Sequence, residues 1–429
     1  MKNFKTFFLK IIIFLTYFVS CCIIISCIPF IRSKRKLTIF GTSPILNNKY
    51  WSNALNQIGI PSITLVKSYY SSINKKADYD LYFEDLLSPL IKNRTIKEGL
   101  YPIFVWLYIL KNAKTIVIPF HGIVIKKYFW RLEYFFLWLK NIKVIVLPYG
   151  SDAYMYSKIR SRSLQNVLLT DYPIAAKLEL DIRNKVFFWS KYADFVTIGL
   201  MMNDGLPRWD IAPNQYISIN SNTIQSKKKY RLGDGINEEV KILHAPNHRS
   251  FKGSEFLVKA IDELKSEGYK VELLLIEKMP NDQVLKLMTE VDILADQFIF
   301  TGYALNSIEG MAAGLPVLAN LESDNYLKVS RRYSFLDECP ILSASPESLT
   351  NQLRLLITNP ELRKELGQLG VQYVEKYHSY KAAQYMFTNI FKKLDGEDVD
   401  LMNLYHPLKS EYVKTNYIKT PLVNNRYVE

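Results

Sequence analysis

A site for an anionic ligand needs fixed cations beside backbone amides, and VKILHAPNHRSFKGSEFLVKAIDEL offers both. An apolar run ends at His244. A polar stretch then carries His248, Arg249, Lys252 and Gly253, and helix-forming residues start near Ser254. Amide groups at a helix start, with two cations at a strand-to-helix turn, suit phosphate. Gly253 would let the backbone approach an anion with no side chain in the way. A solvated loop with incidental Arg and Lys is the plainer alternative. The spacing fits neither a P-loop nor GxGxxG, so on its own it identifies nothing.

A second segment, VDILADQFIFTGYALNSIEGMAAGLPVLANL, reads as strand, polar loop, helix, Gly-x-Pro turn and strand. Asp296 and Gln297 end its first strand, Gly302 and Tyr303 lie in the loop, and Glu309 sits on the helix. A carboxylate facing such loops accepts two hydrogen bonds and can hold ribose or sugar hydroxyls. The competing reading is a helix-surface carboxylate satisfied by the dipole or a lysine. Two further loops follow strands in the first half, Pro119-Phe120-His121-Gly122 and Tyr149-Gly150-Ser151-Asp152. His121 reads either as a ligand-facing group or as a packed histidine in a Phe-rich region. Asp152 reads either as an acceptor-side group or as a turn cap. His244, His248, His378 and His406 lack metal-ligand spacing. Asp78-Tyr79-Asp80 and Asp398-Val399-Asp400 end no apolar strand, so nothing in the sequence calls for a metal.

These groups have to be held at strand ends. Lys36–Thr42, Ser62–Val66, Thr115–Pro119 and Lys143–Pro148 read as strands, with a helix over Asn48–Ile58. Between the last two strands, Tyr128–Lys140 is an aromatic-rich amphipathic stretch, either core-facing or near a surface. After a polar break at Ser221–Arg231 come strands Val240–His244, Val271–Ile276, Asp292–Ala295 and Val317–Ala319, with helices over Ser254–Gly268, Asp282–Glu290 and Ile308–Ala313. Three helices follow near 346–357, 360–370 and 377–394, and then a weakly periodic, loosely held tail. Alternating strands and helices predict an α/β architecture of two Rossmann-like domains facing each other across a cleft. The divisions are 1–36, 37–225, 226–395 and 396–429.

The 429 residues carry 55 Lys+Arg against 41 Asp+Glu, a net +14. Residues 1–36 hold +7 with no acid, 37–226 hold +9 and 227–429 hold −2. The basic character therefore belongs to the N-terminal half and fits a membrane surface; no nucleic-acid module accompanies it. Four cysteines, three of them within the first 27 residues, exclude a disulfide-stapled module. Ile11–Ile31 is almost wholly apolar and long enough to span a bilayer. Arg32, Lys34, Arg35 and Lys36 behind it predict a single-pass anchor in the inner membrane with the body on the cytoplasmic face. A cleaved signal peptide would need a small-residue site that Ile28–Ile31 does not supply; Ile24-Ile25-Ser26-Cys27 loosely resembles a lipoprotein box.

The two C-terminal segments, in this order, resemble the donor half of glycosyltransferase family 4, retaining enzymes of the GT-B fold. The resemblance spans roughly 37–395 in architecture and is specific from about 240 to 380. It implies that Arg249 and Lys252, ahead of Gly253, bind the donor diphosphate, and that Glu309 meets the nucleotide ribose. The family's Glu-x7-Glu pattern has Thr301 at its first position here. That departure touches the donor-sugar contacts, a role that Asp296-Gln297, resembling a subset of the family, is placed to share. The resemblance also sets His121 towards the donor sugar and likens Gly150-Ser151-Asp152 to the family's acceptor-side loop.

The activity implied by the resemblance is transfer of a sugar from a nucleotide-diphosphate donor to an acceptor hydroxyl, with retention and with no metal or other cofactor. The acceptor implied by the basic half is a lipid-linked or saccharide precursor of cell-surface glycan. Two rivals stand beside it: a nucleotide-sugar 2-epimerase-like isomerase or hydrolase, and a non-catalytic nucleotide-sugar-binding subunit.

Overall fold

The computed structural model describes residues 2–70, 74–199, 202–322 and 324–428, with backbone only for 2–10 and 324. The charges of Lys2, Lys5 and Lys10 thus lie outside the described side chains.

The first sheet holds six parallel strands: β1 (Leu37–Thr42), β2 (Ser62–Val66), β3 (Leu81–Tyr82), β4 (Ala113–Ile118), β5 (Lys143–Val146) and β6 (Phe195–Val196). Their order is β3-β2-β1-β4-β5-β6, so the chain starts centrally and winds outward in both directions. The β-branched runs bury both faces, with Ile116, Val117 and Ile118 of β4 and Val144, Ile145 and Val146 of β5 inside. The second sheet holds β7 (Val240–His244), β8 (Val271–Leu275), β9 (Ile293–Gln297), β10 (Val317–Ala319) and β11 (Leu342–Ser343). It too is parallel and doubly wound, ordered β11-β10-β9-β7-β8, with its switch point between β7 and β9.

Helix Arg94–Asn112 is missing from the sequence reading. Its Asn93 cap accepts from the amides of Thr95 and Ile96 at 2.9 and 3.2 Å, but Pro102 inside it interrupts the sequence signal. The aromatic stretch forms a shorter helix, Leu132–Leu139, with Phe136 and Leu137 in the core and Phe135, Trp138 and Leu139 facing outward. Ser221–Arg231 is no free linker. The Lys227 ammonium donates to the Val291 carbonyl, and its amide donates to Ala313 O at 2.9 Å.

The expected loose tail is corrected by the structure. Leu401, Leu404, Tyr405, Val413 and Ile418 are buried, and Leu422–Val423 pairs antiparallel with Arg426–Tyr427. Irregular backbone hid this segment from periodicity, although its apolar side chains pack like those of a core.

Helix Tyr380–Leu394 leaves the second sheet and crosses back onto the first. Phe387 stands edge-on to Phe40 at 5.4 Å and to Trp51 at 5.4 Å, all three buried. Gln384 donates to Ala54 O at 2.9 Å alongside them. Emptying this seam removes a whole ring from the core that joins the two halves. We expect Phe387→Ala to cost about 3–5 kcal/mol in urea unfolding; a midpoint unchanged from the parent would show that the seam does not hold the halves together.

Candidate functional site

β7 and β9 flank the switch point, and their carboxyl ends carry the candidate donor residues. The loop after β7 is fastened from below by His244, which is fully buried. Its Nδ1–H donates to Ala295 O and its Nε2 accepts from Ser254 Oγ, both at 2.7 Å. Burial pushes its pKa down to about 4, so the ring is neutral and each nitrogen suits its partner. A single helical turn, Arg249–Lys252, then ends at Gly253 with φ +76°. A Cβ at Gly253 would also stand 3.2 Å from Phe298 and Ile299, so glycine is required by both conformation and packing.

Arg249 and Lys252 do not converge. Arg249 lies at the surface, where Glu255 at 2.7 Å and Glu277 at 3.4 Å hold it. Lys252 points inward. Its ammonium donates to Asp296 at 2.6 Å and to Gln297 Oε1 at 2.8 Å, leaving one N–H of three. Asp296 also accepts from Ser307 Oγ and from Asn306 at 3.1 Å. Burial pushes that carboxyl up, but Lys252 and the donated hydrogen bonds outweigh it and hold Asp296 below the usual range. Gln297 passes the connection onward by donating to Gly302 O at 2.7 Å, while Gly302 N donates to Asn320 O at 2.7 Å. Asp296, Gln297 and Gly302 therefore shape the loop around Lys252, with the Asp296 carboxylate occupied by three donors.

Glu309 is buried against the same strand ends and accepts from Asn281 at 3.0 Å. Burial, with Asp296 nearby, raises its pKa to about 7. Tyr50 of the first domain lies close enough to Glu309 for the carboxylate to raise its own pKa further. Tyr303 departs from the expectation: its ring is fully buried, and its hydroxyl meets Asn214 at 2.8 Å, Tyr373 at 2.8 Å and His378 at 3.1 Å. It belongs to the core between the domains rather than to a donor pocket, because no part of the side chain reaches open space. Thr301 lines a cavity of about 310 Å³ at the ends of β9–β11, together with Asn320, Glu322 and, from the first domain, Ser161 and Ser163. A larger cavity of about 1240 Å³ lies between the tail and the C-terminal helices and includes none of the candidate residues.

On the first domain, His121 follows β4, with Nε2 3.5 Å from Ser43 Oγ. Burial, reinforced by Lys126 and Lys185, pushes its pKa down to about 3, which leaves a neutral imidazole. Asp152 works through the backbone. Its two oxygens accept from the amides of Phe120 and Tyr149, each at 2.9 Å, tying the loop after β4 to the loop after β5. Burial raises its pKa to about 6.

Sequence reasoning missed Glu133, which is fully buried and accepts from three consecutive amides, Ile123, Val124 and Ile125, at 2.8, 2.8 and 2.7 Å. These follow directly on His121-Gly122, and a Cβ at Gly122 would stand 2.5 Å from the Glu133 carboxylate. A lone acid in YFWRLEYFFLWLK was the available signal, since carboxylates enter apolar surroundings only with partners. Asn281, outside both quoted segments, had no comparable signal.

No family model matches the chain. Among solved structures, it superposes on sucrose-phosphate synthase from Thermosynechococcus elongatus with a TM-score of 0.50 and 14% identity, over 84% of this chain and 99% of that one. The fold is GT-B. A glycosyltransferase from Rickettsia africae ESF-5 is similar at a TM-score of 0.48 and 12% identity, over 85% and 100% of the two chains. WaaG, a glycosyltransferase involved in lipopolysaccharide biosynthesis, is similar at 0.49 and 13%, over 84% and 100%. In this GT-B chain the β7–β9 side gathers Lys252, Asp296, Gln297 and Glu309, and the β4–β5 side gathers His121 and Asp152.

The buried carboxyls lead to two expected outcomes. Glu133→Gln leaves one amide of the loop facing an NH2 group, and we expect a loss of about 1–3 kcal/mol in chemical denaturation; an unchanged midpoint would remove Glu133 as the support of that loop. Glu309 binds its proton more tightly folded than unfolded, its pKa rising from 4.5 to about 7. Its contribution to stability is therefore complete below the lower value and lost as pH climbs through the upper one. Thermal melts across that window should show a decline for the parent that Glu309→Gln makes shallower, the raised Asp152 keeping part of it.

Proposed function

We propose that this chain transfers a sugar from a nucleotide-diphosphate donor to an acceptor hydroxyl, with retention and without a metal. The single observation that carries the reading is the buried Lys252 ammonium at the carboxyl end of β9, beside the switch point and with one N–H uncommitted among the described residues. As the glycosidic bond breaks, charge builds on the leaving diphosphate. A fixed cation at a desolvated strand end stabilises that charge without reorganising at the moment of reaction. Helix Ser254–Ser266 points its start at the same loop and adds amide dipoles. Arg249 joins when an incoming phosphate displaces the looser of its partners, Glu277.

The resemblance supports the roles of Glu309 and His121, while those of Asn281 and Glu322 rest on where their side chains lie. Glu309 accepts from the donor ribose, and Asn281 holds its carboxylate in place. Glu322 faces the cavity that Thr301 lines and supplies the carboxylate that position 301 lacks; Ser348 orients it at 2.8 Å. His121, neutral, faces the donor sugar, and Asp152 sets the His121 loop. The acceptor is a lipid-linked or saccharide precursor of cell-surface glycan, drawn by the basic N-terminal half. The body lies on the cytoplasmic face of the inner membrane.

One rival has its own support. Thr301, together with an Asp296 whose carboxylate is fully engaged, favours a non-catalytic nucleotide-sugar-binding subunit. Incubation of the full chain with a panel of nucleotide sugars and extracted membrane lipids, read by mass spectrometry, separates the two: binding without a glycosylated product selects the rival.

Lys252→Met alone strands the Asp296 charge, so Lys252→Met with Asp296→Asn serves as the folded comparison. We expect the double variant to melt close to the parent and to lose about 100- to 1000-fold in turnover, the loss of one oxyanion-type donor. Parental turnover and donor affinity in that variant would end the assignment. Glu322→Gln should weaken donor binding in calorimetry and leave the melt unchanged. Donor affinity insensitive to that change would return the sugar contact to Thr301 and its neighbours.

A further inference from the structure

The N-terminal helix does not leave the body. Over Lys2–Cys27 and the turn behind it, Ser20, Cys21, Ile24 and Ile28 recur at helical spacing and are buried. Cys21, Ile24 and Ile28 pack into the same core as Val105, Trp106 and Ile109 of helix Arg94–Asn112 and Phe136 of helix Leu132–Leu139. Contacts along its length fix the direction. Phe14 meets Tyr128 at 5.3 Å, a Cβ at Gly99 would stand 3.7 Å from Thr16, and the Ile31 carbonyl accepts from Lys140 at 3.0 Å. The helix thus lies along helix Arg94–Asn112 on the outer face of the first domain, with the segment behind it beside Lys140.

A bilayer-spanning pose is incompatible with that seat. Tyr17, inside the apolar run, lines a cavity of about 100 Å³ with Lys67, Glu98 and Lys126. Lys67 and Glu98 form an ion pair of 2.6 Å there. Spanning would carry these charges and the neighbouring helix, with Arg94 and Lys97, into hydrocarbon, which is costly. Detaching the helix would instead expose Val105 and Trp106.

We propose that this helix lies in the plane of an anionic bilayer surface, fixed to the first domain, and does not cross the membrane. The face it presents is apolar. Ile12, Leu15, Phe18 and Val19 are about half exposed, and beyond them Trp138 and Phe30 are 61% and 85% exposed. Charge complements it: Arg32, Lys34, Arg35 and Lys36 follow the helix, and residues 92–140 hold nine basic groups against two acids, one of them the buried Glu133. Apolar burial at headgroup depth plus attraction to anionic lipid is how interfacial helices bind. The inference is independent of sugar transfer.

Peptide tags on both ends of the full chain, probed by protease in membrane vesicles of either orientation, test it. Both tags on the same side is the expected result; tags on opposite sides would overturn it. A second measurement covers the docked seat. Thr16→Cys with Gly99→Cys should cross-link in the membrane fraction, and the locked chain should stay bound to vesicles of three parts phosphatidylcholine to one of phosphatidylglycerol. Absence of the cross-link, or release of the locked chain, means the helix leaves the body to reach lipid and overturns the proposal.

Discussion

Phe387, Phe40 and Trp51 meet at one apolar seam, and the relative position of the two sheets depends on it. Each sheet presents the carboxyl ends of its strands to the cleft, but loops at such ends form a site only when something sets the gap between them. Helix Tyr380–Leu394 does this by belonging to the second half in sequence and to the first in packing. Around the seam, Tyr303, Tyr373, His378 and Asn214 form a buried polar cluster in which every ring meets a partner. Such a cluster tolerates little slippage, because a displaced hydroxyl would be left unpaired in a low-dielectric interior.

The donor side is a balanced set of charges. Lys252 and Asp296 neutralise each other within the core, and removing either leaves an unpaired buried charge. Under the proposed function a diphosphate would not meet a bare cation but an ammonium already oriented by two acceptors, with one N–H left over, and preorganisation of that kind suits a transition state better than a ground state. Arg249 is the opposite case, an exposed guanidinium whose surface pairings are weak and exchangeable.

The fold was largely legible because both sheets are parallel: β2, β7 and β10 coincide with their sequence readings, as continuous apolar runs between turns do. Helix Arg94–Asn112 escaped because Pro102 breaks its pattern, and the tail because its burial follows no period. The site was half legible. Lys252, Asp296, Gln297 and Glu309 do gather, since each sits at a strand end or on the helix facing one. The direction of each side chain was not legible. Whether Arg249 and Lys252 converge depends on a single helical turn, and three residues of separation put them in different surroundings.

Net charge has a location as well as a sum. The second half is close to neutral, and the buried Lys252 is compensated in place by Asp296, so the bulk +14 does not act at the donor loops. The excess sits on the first domain and on the segment leading into it, around helices whose outward residues are Phe30, Phe135, Trp138 and Leu139. Cations beside exposed aromatic and aliphatic side chains are a poor match for a soluble polyanion, which offers nothing to cover the apolar area. They match a surface that is anionic at the level of the charges and apolar just beneath. His121 is neutral first because it is buried. Lys126 and the buried Lys185 oppose its protonation further, which keeps the imidazole uncharged beside the cleft.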